Sequence, residues 1–332
     1  MMAGWLKFLD AYTTDGLMRR YSPYYDYGFL GDWLWPGATG NPNSGDADVL
    51  CFNNMFRIYS LQCAAETARI LGRTEQALQW EQAAEQSRKV VHKKYYNAKQ
   101  NSYFNGWMPL HALALLANVP PVELRDSMNK RLEEEILVHK KGHIGGGITG
   151  GAVLFRYLRE QHRDDLLYTM ISKTDAPGWL FMRSKGDTIW EAWERNYDWH
   201  TCLHSSYLYP GAWFIDSVLG IRSDPSTPGF RKIVIQPPKF NDLPIRWAKG
   251  SFNAPTGTVS VHWQKNADEK VKNDKENKFE MTVSIPPNTT ATVYVPTVGT
   301  KQAVCDSQLA VFKENRPGYS VFQMRSGTCH FR

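Results

Sequence analysis

The hydrophobic periodicity of this chain changes once, between residues 222 and 228, and that change constrains the fold more than any other feature. Before it, apolar residues recur three or four apart; after it, they alternate. In Asn54–Leu71 the residues Ile58, Leu61, Ala65, Ala68 and Leu71 fall on one helical face, and Gly72 follows as a stop. Thr74 is then expected to cap a second helix that carries Ala77, Trp80, Ala84, Ser87, Val91 and Tyr95 on one face. The short link makes the two an antiparallel helical hairpin. Leu110–Ala117, Val122–Leu137, Ala152–Glu160, Asp164–Ser172 and Tyr207–Leu219 are further helical segments, with Pro210 expected to kink or start the last. No strand pattern interrupts this half.

Beyond the turn-rich stretch Arg222–Gly229 the period is two. Lys232–Gln236, Thr258–Trp263, Phe279–Ile285, Thr292–Val295 and Ser320–Met324 read as short strands separated by turn signals, the pattern of an antiparallel β-sandwich. The charged stretch Gln264–Lys278 reads as an exposed hairpin loop. A chain of 332 residues suits two domains, here 1–222 and 228–332. The helical half also holds long loops rich in Gly, Trp and Asp, at Tyr24–Asp48, Gly142–Gly151 and Gly178–Leu203. Loops of that length are uncommon unless functional. Helical hairpins with polar-aromatic loops at one end are how an α/α barrel builds a cleft.

Composition narrows the ligand. The net charge is +6, but basic and acidic residues are interspersed; the densest basic run, Arg88–Lys94, shares its helix with Glu81 and Glu85 and reads as a solvated face. Neither nucleic acid nor a membrane is expected as a partner, since no apolar run approaches the length of a span. Five scattered cysteines and the lack of CxxC or HExxH leave no pattern for a disulfide scaffold, a zinc site or another bound cofactor. Met1–Trp5 lacks the charged and apolar regions of a signal peptide, so the compartment stays open. Aromatic residues reach 13%, with twelve Trp, ten of them before residue 220. Some of these fill the core. Others suit a sugar site, where an indole face stacks on the C–H face of a pyranose.

Three segments can carry chemistry: Gly28–Leu34, Asp187–Glu194 and Leu203–Tyr207, the last leading to Gly211-Ala212-Trp213. The first two place Asp32 and Glu191 beside tryptophans. A paired carboxyl site at about 6.5–9.5 Å is what an inverting glycosidase requires: one group protonates the leaving oxygen and the other activates water. A neighbouring indole raises a carboxyl pKa by desolvation, which suits the acid. Read singly, an Asp after Gly is as well explained as a turn or helix cap, and a Glu near Trp as a structural partner.

Taken in order, these segments resemble glycoside hydrolase family 78, the bacterial α-L-rhamnosidases. Thr188-Ile189-Trp190-Glu191 is similar to that family's T-x-W-E, whose Glu is the general base. Trp193 matches the tryptophan that lines the rhamnose subsite, and His204 falls on the His of S-L-N-H-Y. Gly211 and Trp213 keep register with the following G-E-W. Gly31-Asp32-Trp33 resembles the G-D-W form of the acidic loop. The likeness continues through Thr227–Phe230, Lys232–Gln236, Ile285–Pro296 and Ser326–Phe331.

The resemblance implies a partial (α/α)6 toroid-type helical barrel followed by an antiparallel β-sandwich. It also implies inverting hydrolysis of terminal α-L-rhamnose from a rhamnosylated glycoside or polysaccharide. Asp32 and Glu191 would be the catalytic pair, and Asp26, Trp33, Trp190, Trp193 and His204 would bind substrate. The chain departs from the family where the acidic loop has its general acid Glu, because Tyr25 stands there, followed by Asp26. Asp32 is then the first candidate for the acid and Asp26 the second. Leu203 replaces the Asn before the family's His. A six-hairpin barrel needs more helices than this half supplies. The remaining hairpins are expected from a separately encoded N-terminal half; otherwise the chain is a truncated, non-catalytic carbohydrate-binding or structural fragment.

Overall fold

The computed structural model describes residues 1–20, 30–38, 47–194, 201–266, 278–298 and 301–332. It divides into two compact units, Met1–Leu208 and Tyr209–Arg332.

The first unit is mainly helical. Its helices are α1 (Met2–Asp10), α2 (Ala47–Ile70), α3 (Thr74–Tyr95), α4 (Met108–Leu116), α5 (Val122–Glu134), α6 (Ile148–Glu160), α7 (Asp164–Ile171) and α8 (Trp179–Lys185). The expected hairpin is α2–α3. It turns at Gly72, whose φ of +70° is the left-handed value that ends a helix. The cap differs from expectation: Thr74 is the first residue of α3, Arg73 precedes it, and no side chain bonds the helix end. The inner face of α2 buries Phe52, Met55, Ile58, Leu61, Ala65 and Ala68, and α3 answers with Ala77, Ala84 and Val91. Every residue of α4 from Met108 to Leu115 is buried, so this helix is apolar all round and forms the centre of the unit. Pro109 is tolerated there because it sits in the first turn, where the N–H has no intrahelical partner.

Two short hairpins correct the reading that no strand interrupts this half. β1 (Thr13–Thr14) pairs with β2 (Leu17–Met18) across Asp15-Gly16, both at positive φ. Asp-Gly is the preferred sequence for such a turn. β3 (Tyr96–Asn97) pairs with β4 (Ser102–Tyr103). Asn54 of α2 ties β2 down, its amide exchanging two hydrogen bonds with the Met18 backbone at 2.8 and 2.9 Å. α1 and α8 lay outside the segments read as helical, and α8 falls inside one of the long loops.

The second unit opens with the four-residue α9 (Pro210–Trp213), which Pro210 starts rather than kinks; one π-turn, Phe214–Val218, follows. Its strands are β5 (Ile221–Ser223), β6 (Lys232–Ile235), β7 (Trp247–Ala254), β8 (Gly257–Asn266), β9 (Lys278–Pro296), β10 (Ala310–Arg316) and β11 (Tyr319–Phe331). They form one hydrogen-bonded seven-stranded sheet. The two expected strands on either side of Pro286-Pro287 are a single strand, β9, whose first half pairs with β8 and whose second half pairs with β6. β11 follows β9 along its length, with a register shift between Arg325 and Gly327. The β6–β9 pair is parallel, which corrects the expectation of a wholly antiparallel arrangement. Val259, Val261, Trp263, Val283, Val293, Met324 and Phe331 are buried on this sheet.

Candidate functional site

The Gly-Asp-Trp loop is docked on the N-terminus of α6. Asp32 Oδ2 accepts the Gly147 N–H at 2.6 Å, and Oδ1 accepts the Gly150 N–H at 2.6 Å and the Thr149 N–H at 3.1 Å. These are backbone donors that the first turn of a helix leaves without partners. An aspartate supplied from 115 residues away therefore caps α6, and the helix dipole favours its charge. The Trp33 carbonyl accepts the Ile148 N–H at 2.8 Å and completes the junction. The run Gly145-Gly146-Gly147 exists for this approach. A Cβ at Gly147 would lie 2.0 Å from the Trp33 carbonyl oxygen, and one at Gly150 would lie 2.3 Å from Asp32 Oδ2.

Asp32 is 2% exposed. Burial pushes its carboxyl up to about 7, against the opposing pull of the Gly150, Gly147, Thr149 and Trp33 N–H groups. Both oxygens of the Asp32 carboxyl are engaged by backbone N–H groups and almost none of its surface is accessible, which is the setting of a helix cap. Asp26 and Tyr25 lie outside the described residues.

The second segment closes against the third as a short ladder. Glu191 N–H donates to the Thr201 carbonyl at 3.0 Å, and His204 N–H donates to that of Ile189 at 2.8 Å. Thr188 Oγ1 donates to the Cys202 carbonyl. Within this ladder Glu191 Oε2 accepts the Thr201 N–H at 2.9 Å and its hydroxyl at 3.1 Å, so the half-buried carboxylate is fixed by one threonine. His204 is exposed, and its Nδ1 accepts the Ser206 N–H at 3.1 Å, which leaves the ring proton on Nε2.

The two tryptophans of the motif differ in use. Trp193 is 1% exposed, donates its indole N–H to the Gly146 carbonyl at 2.8 Å and stacks on Tyr207 at 4.1 Å. It is a core residue that locks the glycine loop. Trp190 packs edge-on against Phe181 at 6.1 Å. With Thr188, Lys185, Glu194 and an edge of Trp193 these two rings line a cleft of about 590 Å³. Asp32, Trp33, Glu191 and His204 are not in the lining of that cleft.

Three residues outside the expected site set join the segments. Glu194 Oε2 accepts the Gly37 N–H at 3.1 Å, which links the second segment to the first. The hydroxyl of Tyr207, buried, donates to the Leu34 carbonyl at 2.8 Å. Burial, then the charges of Asp32, Glu194 and Glu191, raise its phenol far above the ordinary value. Trp107 donates to the Gly145 carbonyl at 2.6 Å and packs edge-on against Trp35 at 5.6 Å. Glu194 was visible as a second Glu three positions after Glu191. Tyr207 ends the third segment, Leu203–Tyr207, though not as a site residue, and Trp107 carries no such signal. Among the described residues no group of three or more His, Cys, Asp or Glu is placed to hold a metal ion. No helix there is long and apolar enough to cross a membrane.

Helical hairpins that present carboxylate- and tryptophan-bearing loops, followed by a unit built on a seven-stranded sheet, define a two-unit class of protein. The sequence matches the bacterial alpha-L-rhamnosidase six-hairpin glycosidase domain over residues 1–218 and the bacterial alpha-L-rhamnosidase C-terminal domain over 220–309. The chain belongs to this bacterial α-L-rhamnosidase family. An alpha-L-rhamnosidase of Formosa agariphila is 26% identical over 318 residues, which cover 93% of this chain and 32% of the relative. One from Alteromonas sp. is 26% identical over 309 residues, 89% of this chain and 31% of the relative. The chain thus spans about a third of the length of these curated relatives. Among solved structures, Streptomyces avermitilis alpha-L-rhamnosidase complexed with L-rhamnose superposes with a TM-score of 0.80 at 24% identity, covering 99% of this chain and 30% of that one. The enzyme from Dictyoglumus thermophilum gives 0.81 at 24% identity, with 99% and 36% covered. At this identity the two superpositions show a shared fold.

Proposed function

We propose that this chain supplies the base-bearing part of an inverting α-L-rhamnosidase, with Glu191 as the general base. The observation that carries this reading is Glu191 itself. It is held by two donors from Thr201, between the buried indoles of Trp190 and Trp193, in a segment that keeps the family's T-x-W-E. A carboxylate oriented in this way suits abstraction of a proton from water. Asp32 is assigned a positioning role, holding the Gly147–Gly150 backbone, and Asp26 takes the role of proton donor. Trp33, Trp190 and His204 contribute to the sugar-binding surface, and Trp193 supports it from beneath. The domains of this reading are 1–222, a partial six-hairpin toroid, and 228–332, a β-sandwich. The toroid of this reading calls for further helical hairpins, and Met2, Trp5 and Phe8 offer them an exposed apolar stripe on α1 beside the buried Leu6 and Leu9.

The test is hydrolysis of an aryl α-L-rhamnoside by the purified chain and by Glu191→Gln. The variant is expected to lose at least about a hundredfold in rate, the scale of a missing general base. Turnover within about threefold of the parent would remove Glu191 from the role. A second reading, sugar binding without turnover, is favoured by Tyr25 in the acid position together with the burial of Asp32. Calorimetric binding of L-rhamnose with no hydrolysis of the aryl glycoside would select it.

A further inference from the structure

We propose that the groove between the β3–β4 turn and the C-terminal turn of α5 is a second carbohydrate subsite, specific for an acidic sugar unit carrying a carboxylate or a sulfate. The inference rests on the carbohydrate reading above and adds the charge class of the substrate.

The groove has a volume of about 710 Å³, within the range of ligand pockets. Its lining is polar throughout. Asn101 comes from the turn, Ser102 from β4 and Asn105 from the segment after it, and Lys130, Arg131 and Glu134 come from α5. No large apolar side chain takes part and His139 is the one aromatic ring, which argues against a lipid or a hydrophobic helix as occupant. Amides and hydroxyls at this density match the alternating donors and acceptors of a sugar ring.

The charges select an anion. Lys99, in the β3–β4 turn, and Lys130, on α5, both line the groove and are exposed, and neither has a carboxylate within ion-pair distance among the described residues. Glu134 is the one carboxylate in the lining, and it is engaged by neighbours, 3.5 Å from Arg131 Nη1 and 4.0 Å from His139. Arg131 also donates to Glu135 at 3.3 Å. The floor is kept low by Gly106, at a φ of +76° and beside the Arg131 guanidinium. An acidic group entering between Lys99 and Lys130 would find two uncommitted ammonium groups above a guanidinium.

The groove is joined in the chain to the glycine run beside the motif loops: Gly106 in the lining is followed by Trp107, which packs on Trp35 and bonds the Gly145 carbonyl.

The experiment measures binding, so it separates this inference from catalysis: a chain that binds but does not turn over leaves the inference standing and sinks the glycosidase reading. Calorimetric titrations of the full chain use a galacturonate oligosaccharide, a sulfated oligosaccharide and a neutral malto-oligosaccharide of equal length, with a short DNA duplex as a further probe. One or both acidic sugars are expected to bind at least about tenfold more tightly than the neutral one. The advantage should shrink between about 0.05 M and about 0.3 M salt. The relative strength of the two acidic probes identifies carboxylate or sulfate as the recognised group. Lys99→Gln/Lys130→Gln is expected to lose about tenfold in affinity for the acidic sugar. Lys249→Gln/Lys313→Gln, which removes the same charge from the other unit, is expected to lose less than about twofold. Equal loss in the two double variants, equal binding of the neutral sugar, or tighter binding of DNA than of either acidic sugar would each overturn the proposal. All four lysines are exposed, so folding is not at risk.

Discussion

Asp32→Asn is the sharpest test of the assignment of that residue. The substitution keeps shape and volume but replaces one acceptor by an NH2 group. In the better orientation the amide oxygen serves Thr149 and Gly150, and the NH2 faces the Gly147 N–H at the 2.6 Å site. Two donors then confront each other in a buried position. At about 1–3 kcal/mol for each of the two unsatisfied buried groups the cost is about 2–6 kcal/mol. For a unit of this size that is a fall of roughly 4–24 °C in Tm. The pH dependence gives a second signature. The folded-state pKa of Asp32 is raised from 3.8 to about 7, so the folded chain holds a proton that the unfolded chain has lost. The stability associated with that proton is fully present below pH 3.8 and declines as pH rises through the window to 7, by up to about 4 kcal/mol. The gap between parent and Asn variant therefore widens on acidification and narrows towards pH 8. Helical ellipticity followed by temperature at pH 5 and pH 8 measures both. A variant that melts within about 1 °C of the parent at both values, yet loses turnover, would refute the positioning role and return Asp32 to the chemistry.

Gly150→Ala should destabilise by about 3 kcal/mol or more, since its Cβ would lie 2.3 Å from Asp32 Oδ2 and 2.7 Å from the Pro109 side chain. Combined with Asp32→Asn its cost should be clearly less than additive in a thermal double-mutant cycle, because both act on one contact. His111→Leu should raise stability at acid pH. His111 is fully buried with neither ring nitrogen hydrogen-bonded, and burial, then the Arg131 charge, hold its pKa down at about 4. The parent therefore loses stability as pH falls from 6.5 through 4, by up to about 3 kcal/mol, and a urea midpoint series without that loss in the variant checks the sign.

The helical half was legible wherever one face is buried and the other is wet. α2 and α3 show that spacing plainly, and Gly72 marks the turn between them. α1 and α8 were missed because each is a short helix, of nine and seven residues, whose few buried positions do not establish a period. The β1–β2 hairpin was passed over although Asp15-Gly16 is a strong turn signal, since two-residue strands leave no alternation to count. In the other unit, Pro286-Pro287 suggested two strands. The chain keeps its odd-numbered side chains, Val283 and Ile285, then Ala291 and Val293, on the buried face across the interruption, so one strand can change partners without changing face.

The site was legible in its chemistry more than in its geometry. Trp190, Glu191 and Trp193 stand out because a carboxylate between indoles in a loop is an unusual local pattern. Asp32 between Gly31 and Trp33 has the same local appearance and a different setting. What separates the two lies elsewhere in the chain: Thr201 holds Glu191 at a half-buried position, whereas the Gly145–Gly151 run lets α6 close over Asp32 with three N–H groups. The distinction is one of backbone approach. Glycines that look like a flexible loop in the sequence are the only residues that fit beneath Trp33 and Asp32, as the 2.0 and 2.3 Å approaches of an added Cβ show. A carboxylate within reach of such a glycine run is better read first as a helix cap and only then as an acid, because the helix end needs the acceptor whether or not the site is catalytic.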